Sequence, residues 1–586
     1  MATTLNSPGI AVREIDLSGV VPSNTTSIGA IVGNYRWGPV GIRSLISNEK
    51  DLVTNFGTPT ATSSVDFHSA AYFLKYTSNL FVTRQITSAA YNATSNTQSG
   101  ADTVLVKNED HYNTQYSGFG ADSGEVNSGM FIAKYPGTLG NSLKVSFCVA
   151  NATGTGAEDF ADWTYNELFD GAPGTSDYAD VRGASNDEIH LVVVDENGTF
   201  TGTPGTVLEK FAYLSVAPSA KTSDGSTNYV GNVLNNASNY IWFGFFDTAA
   251  LPIGADAGSN PTTGLDYTED LVWTNALSSV SLNGGVDSGS LGTAQYITGY
   301  DLYADKETVI VDFLIAPDIS TVEAHNTVVN NLIASAVLRK DCVVIASPNR
   351  ASVVNNTGIV DDTVTCFGNV TKSSYLFKDN NYLKVYDKYN DQYIYIPAAS
   401  STAGIFAATD LVAAPFFSPA GPRRGQYMGI TALAYSATQS ERDTLYKVGI
   451  NSIANIPGQG IMLYGDKTGE ARPSAFDRIN VRRLFLMIER AIAIAARNVM
   501  FEFNDEFTRA EFVNIVEPYL RNIKGRRGIY DFRVVCDDTN NTPDVIDNNE
   551  FIASIFVKPA RSINYVTLNF VAVRTGASFE EVVGTI

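Results

Sequence analysis

Val481-Arg482-Arg483-Leu484, Phe501-Glu502-Phe503-Asn504-Asp505, the Cys536-Asp537 turn and Val557-Lys558-Pro559-Ala560-Arg561 punctuate residues 471–586, the stretch from which the rest of the chain is read. Val481, Leu484, Ile488, Ala491, Ile492, Ala495 and Val499 recur at three- and four-residue steps. That spacing makes one apolar stripe and predicts a helix from near Asn480. Arg483, Arg490 and Arg497 are expected on its opposite, wet side. A second helix is expected to open at Thr508, where Glu511 three residues on gives a capping-box spacing. It should bury Phe512, Ile515, Val516, Tyr519, Leu520 and Ile523 and stop at Gly525. Pro518 lacks the amide hydrogen used inside a helix and is expected to kink it. Extended runs over 530–535 and 551–557 are separated by turn residues from Cys536 to Pro543. A third run, 563–573, is rich in β-branched and aromatic residues, which completes a compact α+β domain.

The order and wording of these pieces resemble the C-terminal domain of contractile phage tail sheath proteins, which polymerises around a central tube. Earlier residues carry the same resemblance. Ser7-Pro8-Gly9 leads into a short Glu-containing run, and Gly38-Pro39, Phe56-Gly57, Tyr72-Phe73 and Val82-Thr83-Arg84 follow in order. Further on come Ala403-Gly404, Gly449-Ile450-Asn451, Pro457-Gly458-Gln459-Gly460-Ile461 and Tyr464-Gly465-Asp466-Lys467-Thr468. The resemblance covers both termini and roughly the chain from Leu282 on, and is weak in the middle segment 89–290.

That middle is where composition changes. Residues 89–290 carry 6 Lys+Arg against 24 Asp+Glu, most of the formal net charge of -21, whereas 477–586 carry 14 against 15. A strongly acidic segment stays solvated and repels phosphates, so direct binding to nucleic acid is not expected. The segment is rich in Gly, Ser and Asn with short strands, and Asp195-Glu196-Asn197-Gly198 after Leu191–Val194 reads as a tight hairpin turn. It is expected to be an inserted, mainly-β region of one or two domains.

Regular α/β patterning resumes after it: a strand over 309–315, a helix over 322–338 and a strand over 342–346. This β-α-β order favours parallel neighbours, and its natural partner is the segment 27–84, with helices over 47–56 and 67–76 and a buried strand over 80–84. The fold class expected is therefore mixed α/β and α+β multidomain. A discontinuous central α/β domain (23–88 plus 291–470) is interrupted by the acidic insertion (89–290) and followed by a C-terminal α+β polymerisation domain (471–574). Linking arms at 1–22 and 575–586 flank these.

Hydrophobic content of 44% and charged content of 17% are ordinary for soluble globular protein. Met1-Ala2-Thr3-Thr4-Leu5 lacks the basic start and apolar core of a signal peptide, and no stretch is long enough for a bilayer span. A soluble protein made in a cytoplasm, without membrane insertion, is expected. Cys148, Cys342, Cys366 and Cys536 lie far apart, which argues for buried thiols and against zinc or disulfides. Gly465-Asp466-Lys467-Thr468 lacks the P-loop cradle, and Gly458-Gln459-Gly460 reads as a plain turn. Asp537, Asp538, Asp544, Asp547 and Glu550 lack the central glycine of a calcium loop. His68, His111, His190 and His325 have no sequence neighbours that make a catalytic signature. No cofactor, metal or enzymatic activity is expected.

The resemblance implies a structural subunit that stacks as hexameric rings in a helix around a tail tube, with baseplate and tail terminator proteins at the ends. It would contract to drive the tube through a host envelope. Pro8, Gly9, Ile10, Val12 and Ile15 in the first arm, and Phe579, Val582 and Val583 in the last, would add strands to sheets of neighbouring copies, with Gly19 and Gly576 as hinges. Arg483, Arg490, Arg497, Lys524, Arg526 and Arg527 are the candidate tube-facing residues. Two alternatives remain open: the sheath of an R-type bacteriocin or secretion-type injection system, and a secreted acidic β-rich adhesin, against which the missing signal peptide counts.

Overall fold

The computed structural model describes residues 27–95, 103–115, 130–150, 160–182, 186–217, 219–244 and 279–564. The chain divides into two compact units. The larger spans Thr25–Ala413 and Pro419–Asp477; the smaller takes Ala414–Ser418 and the chain from Arg478.

The larger unit is organised by a six-stranded sheet in the order Leu376–Lys378, Val343–Ala346, Phe313–Ile315, Gly29–Gly33, Leu80–Arg84, Arg43–Ile46. All pairs are parallel except the last. Gly29-Ala30-Ile31-Val32-Gly33 is buried at every position, the pattern of a parallel strand covered on both faces. Its pairing with Phe313–Ile315 joins the two chain segments that flank the acidic region, as the sequence leads one to expect. Helix Val322–Arg339 connects two of the strands; Thr321 Oγ1 accepts from Ala324 N at its start, and Lys340 ends it in the left-handed region. Helix Ser64–Leu74 packs close to the sheet because Gly29 has no side chain: a Cβ there would lie 2.6 Å from Phe73 Cζ.

Where Gly29–Gly33 and Phe313–Ile315 separate, the registered pairing ends at Ala30 and Leu314. The Tyr300 hydroxyl takes over, donating to Ile315 O and accepting from Val32 N at 3.3 Å. Ligands of doubly wound sheets commonly enter at such a divergence; here buried Tyr300, Tyr296, Tyr303 and Tyr382 fill the surrounding core.

The acidic region forms a four-stranded antiparallel sheet, Thr206–Ser215, Glu188–Asp195, Leu143–Val149, Ser279–Ser281, beside a pair Phe131–Ala133 and Ile241–Phe243. It is mainly β. The hairpin after Val194 exists, but its turn is not a tight Asn-Gly one. Residues 196–205 make a longer loop around the buried Asp195 carboxylate, which accepts from Ser142 Oγ (2.6 Å), Thr199 N (3.0 Å), Phe200 N (3.0 Å) and Thr201 N (2.8 Å). A carboxylate that satisfies several backbone donors offers the chain an alternative to the two-residue turn. Gly458-Gln459-Gly460 is a hairpin turn, between Ser452–Ile456 and Gly460–Tyr464.

In the smaller unit, helices Ile479–Ala496 and Glu506–Gly525 pack on the antiparallel pair Ile529–Val535 and Ser554–Pro559. Leu484, Ile488, Phe512, Val516, Leu520 and Ile523 form its core together with Phe416, a residue contributed from the excursion Ala414–Ser418. The second helix starts earlier than Thr508. Asp505 Oδ1 accepts from Thr508 N at 2.8 Å, so Asp505 is the cap and Thr508 lies buried in the first turn. The loop after Val535 contains the short helix Pro543–Asp547, with proline at its start. Most of the 563–573 run lies outside the described residues.

Candidate assembly surface

Three features of the smaller unit face solvent. The first is its sheet. Phe532, Val534, Ile555 and Val557 pack on the helical core, while Tyr530, Arg533, Phe556 and Lys558 are exposed. Among the described residues the sheet has only two strands, so each strand has one unpaired long edge. A strand edge is a row of backbone donors and acceptors to which another strand can add.

The second feature is the connection between the helices together with the first turn of helix Glu506–Gly525. Phe501, Phe503 and Phe507 are 99%, 85% and 77% exposed, and Phe501 sits at φ +71°, in a region that non-glycine residues rarely occupy. The connection is firmly anchored. Asn504 Nδ2 donates to Glu550 O (2.8 Å) and Asn541 Oδ1 (3.1 Å), and Asn541 itself is buried and bonds Ile552 N and O. Arg509 pairs with Asp538 at 2.8 Å and also donates to Asn504 Oδ1. Glu502, Asp505, Glu506 and Glu511 flank these phenylalanines in sequence and are exposed.

The third is the far end of helix Glu506–Gly525, where Arg521, Lys524, Arg526 and Arg527 are exposed. Lys524 meets Asp531 at 2.9 Å, and the Arg526 guanidinium lies 5.5 Å from the Phe416 ring.

Residues 289–469 match the family model of the phage tail sheath protein central domain, and 471–572 that of the phage tail sheath C-terminal domain. The tail sheath protein of Vibrio phage KVP40 is 33% identical, with 99% of this chain and 100% of that one covered. That of Enterobacteria phage T4 is 32% identical, with 99% of each covered. The chain belongs to the phage tail sheath protein family. The crystal structure of a sheath tail protein from Listeria innocua shares the fold at a TM-score of 0.52 and 12% identity, over 91% of this chain and 95% of that one.

A tail sheath protein is a structural component of contractile phage tails, and hence of the virion, and not an enzyme. His68 Nε2 lies 3.1 Å from Asp387 Oδ1, and Ser64 Oγ donates to the other oxygen of the same carboxylate at 2.6 Å. The carboxylate therefore stands between hydroxyl and imidazole, and cannot relay a proton as in a triad, where the imidazole stands between. Burial alone would raise the Asp387 carboxyl, but its bonds from Ser64, Asn390, His68 and the Tyr389 amide hold it well below the usual range. All four cysteines are buried and unbridged.

The tertiary structure sorts the sheath protein's predicted basic residues. Arg483 is 5% exposed and Arg482 6%, so the expected wet stripe is wrong at that point. The first turns of helix Ile479–Ala496 are enclosed on every side, and Asn480 is tied there to Phe416 O and Ala560 O. Arg490 is partly buried, whereas Arg497, Lys524, Arg526 and Arg527 are exposed. Pro8, Gly9, Ile10, Val12, Ile15, Gly19, Gly576, Phe579, Val582 and Val583 lie outside the described residues. The exposed phenylalanines escaped the sequence reading. Their signal was that Phe507 falls off the apolar stripe formed by Phe512, Val516, Leu520 and Ile523.

Proposed function

We propose that this sheath protein assembles as hexameric rings stacked helically around a tail tube, and that copies are joined by their terminal arms. The sheet of the smaller unit, which among the described residues has two strands and an unpaired edge on each, carries the reading: it is an acceptor for arms 1–22 and 575–586 of neighbouring copies. Each added strand contributes modestly, and many such links in one lattice act with avidity. Contraction is then a rotation and sliding of rigid units into an arrangement with more buried contact, while the arms keep the lattice connected. The acidic insertion 89–290 faces outward, and the unit that follows Asp477 faces the tube, with Arg497 among its contacts. Baseplate and terminator proteins close the ends.

Negative-stain microscopy of the intact chain, beside one lacking 1–19 and 575–586, tests this. Hollow tubes or rings from the intact chain and monomers from the trimmed one are expected. Tubes from both would remove the arms from the mechanism.

A further inference from the structure

The arms leave unexplained the anchored aromatic residues, flanked in sequence by acids, and the basic end of the next helix. We infer that these are the two halves of one contact: the Phe501–Phe507 connection of one copy docks on the Arg521–Arg527 end of the next copy. The inference rests on the assembly reading above and specifies a second contact within it.

Three observations carry it. The aromatic side chains are exposed, yet their backbone is held by Asn504, Asn541 and the Asp505 cap, with Phe501 in a strained conformation. Strain maintained in a well-anchored, exposed aromatic residue marks a contact site. The charges are complementary: the exposed Glu502, Asp505, Glu506 and Glu511 flank the phenylalanines in sequence, while at the other end Arg526 and Arg527 are exposed beside Arg521, paired with Glu517, and Lys524, paired with Asp531, so the two ends attract. Arginine suits this pairing because its planar guanidinium stacks on an aromatic face while donating to carboxylates.

The third observation is distance. The two ends sit at opposite termini of a 20-residue helix, about 30 Å long at 1.5 Å per residue. One copy cannot close its own aromatic end onto its own basic end, so the pairing is between copies. Because the two surfaces differ, the contact is head-to-tail. Each copy keeps one end open for the next, and the series closes into a ring or winds into a helix. Arg526 and Arg527 are thereby assigned to a neighbouring copy and removed from the tube-facing set.

The test places the photo-crosslinker p-benzoylphenylalanine in place of Phe503 in the full-length chain. Equal amounts of light and 15N-labelled protein are co-assembled, irradiated and digested for mass spectrometry, with a portion imaged by negative stain. Adducts joining residue 503 to peptides containing 521–533, of mixed light and heavy origin, are expected. Arg526→Glu/Arg527→Glu should lower their yield at least tenfold, and adding Glu502→Lys/Glu506→Lys to that variant should restore it. Absence of the 521–533 adduct overturns the contact, whether residue 503 reacts elsewhere or not at all. Tubes or rings without the adduct reject this contact and leave the assembly reading standing; neither assemblies nor adduct rejects both.

Discussion

Arg84 Nη2 donates to the carbonyl of Pro136 at 2.6 Å, binding the last residue of a central-sheet strand to the inserted region. The same guanidinium, 1% exposed, donates through Nε to Tyr35 O (2.7 Å) and through Nη1 to Gly38 O (2.8 Å). One side chain thus satisfies carbonyls from separate chain segments. Arg84→Met would leave them buried without donors. A loss of about 2–4 kcal/mol in unfolding free energy is expected, read by denaturant titration. A loss under 0.5 kcal/mol would show that the guanidinium does not hold the segments together.

Tyr300→Phe removes the hydroxyl that bridges Val32 N and Ile315 O while keeping the ring. Stability should fall by about 1–3 kcal/mol, the range for buried backbone groups left unpaired. Hydrogen exchange should accelerate at the Val32 amide more than at Ile31, within the registered pairing. Uniform acceleration across the sheet would mean that the bridge has no local role.

Asp195→Ala deprives the 196–205 loop of its central acceptor. About 2–3 kcal/mol should be lost, and limited proteolysis should cut first between Glu196 and Gly205. Cleavage unchanged from the parent would show that the loop holds its shape without the carboxylate.

Burial pushes the Asp66 carboxyl up to about 7, against the opposing bond from Asn34 N at 2.7 Å. The folded state therefore holds a proton that the unfolded chain releases near pH 4. The stability that Asp66 contributes is fully present below pH 4 and is lost as pH rises through 7. Asp66→Asn, which keeps an acceptor for Asn34 N, should stabilise by on the order of 4 kcal/mol at pH 8 and change little at pH 4. Equal effects at both values would show that Asp66 is not the titrating group.

Arg483→Ala should cost about 2 kcal/mol because the side chain is buried in the fold, whereas Arg497→Ala should stay within about 0.5 kcal/mol. Equal small effects in thermal unfolding would return Arg483 to the surface.

Periodicity and chain order made much of this protein legible. Leu484, Ile488 and Ile492 repeat with the helical period and lie in the core where that repeat puts them. The apolar runs over 309–315 and 342–346 were read as strands, and the strands Phe313–Ile315 and Val343–Ala346 pair in parallel. Local competition was harder to read: Asp505 and Thr508 both suit a helix start, and Asp195 outbids the Asn-Gly turn by taking backbone donors that sequence does not show to be near it.

By itself, the sequence determined the interrupted α/β order and the helical cores, because these rest on local spacing, and local spacing follows from the backbone's own periods; the family came from motif resemblance, not from spacing. Only the tertiary structure decided that Arg483 is enclosed, that Phe416 crosses into the smaller unit, that Tyr300 bridges two diverging strands and that Phe501, Phe503 and Phe507 stand exposed. Each depends on which distant segments pack around a residue, and burial is a property of that packing.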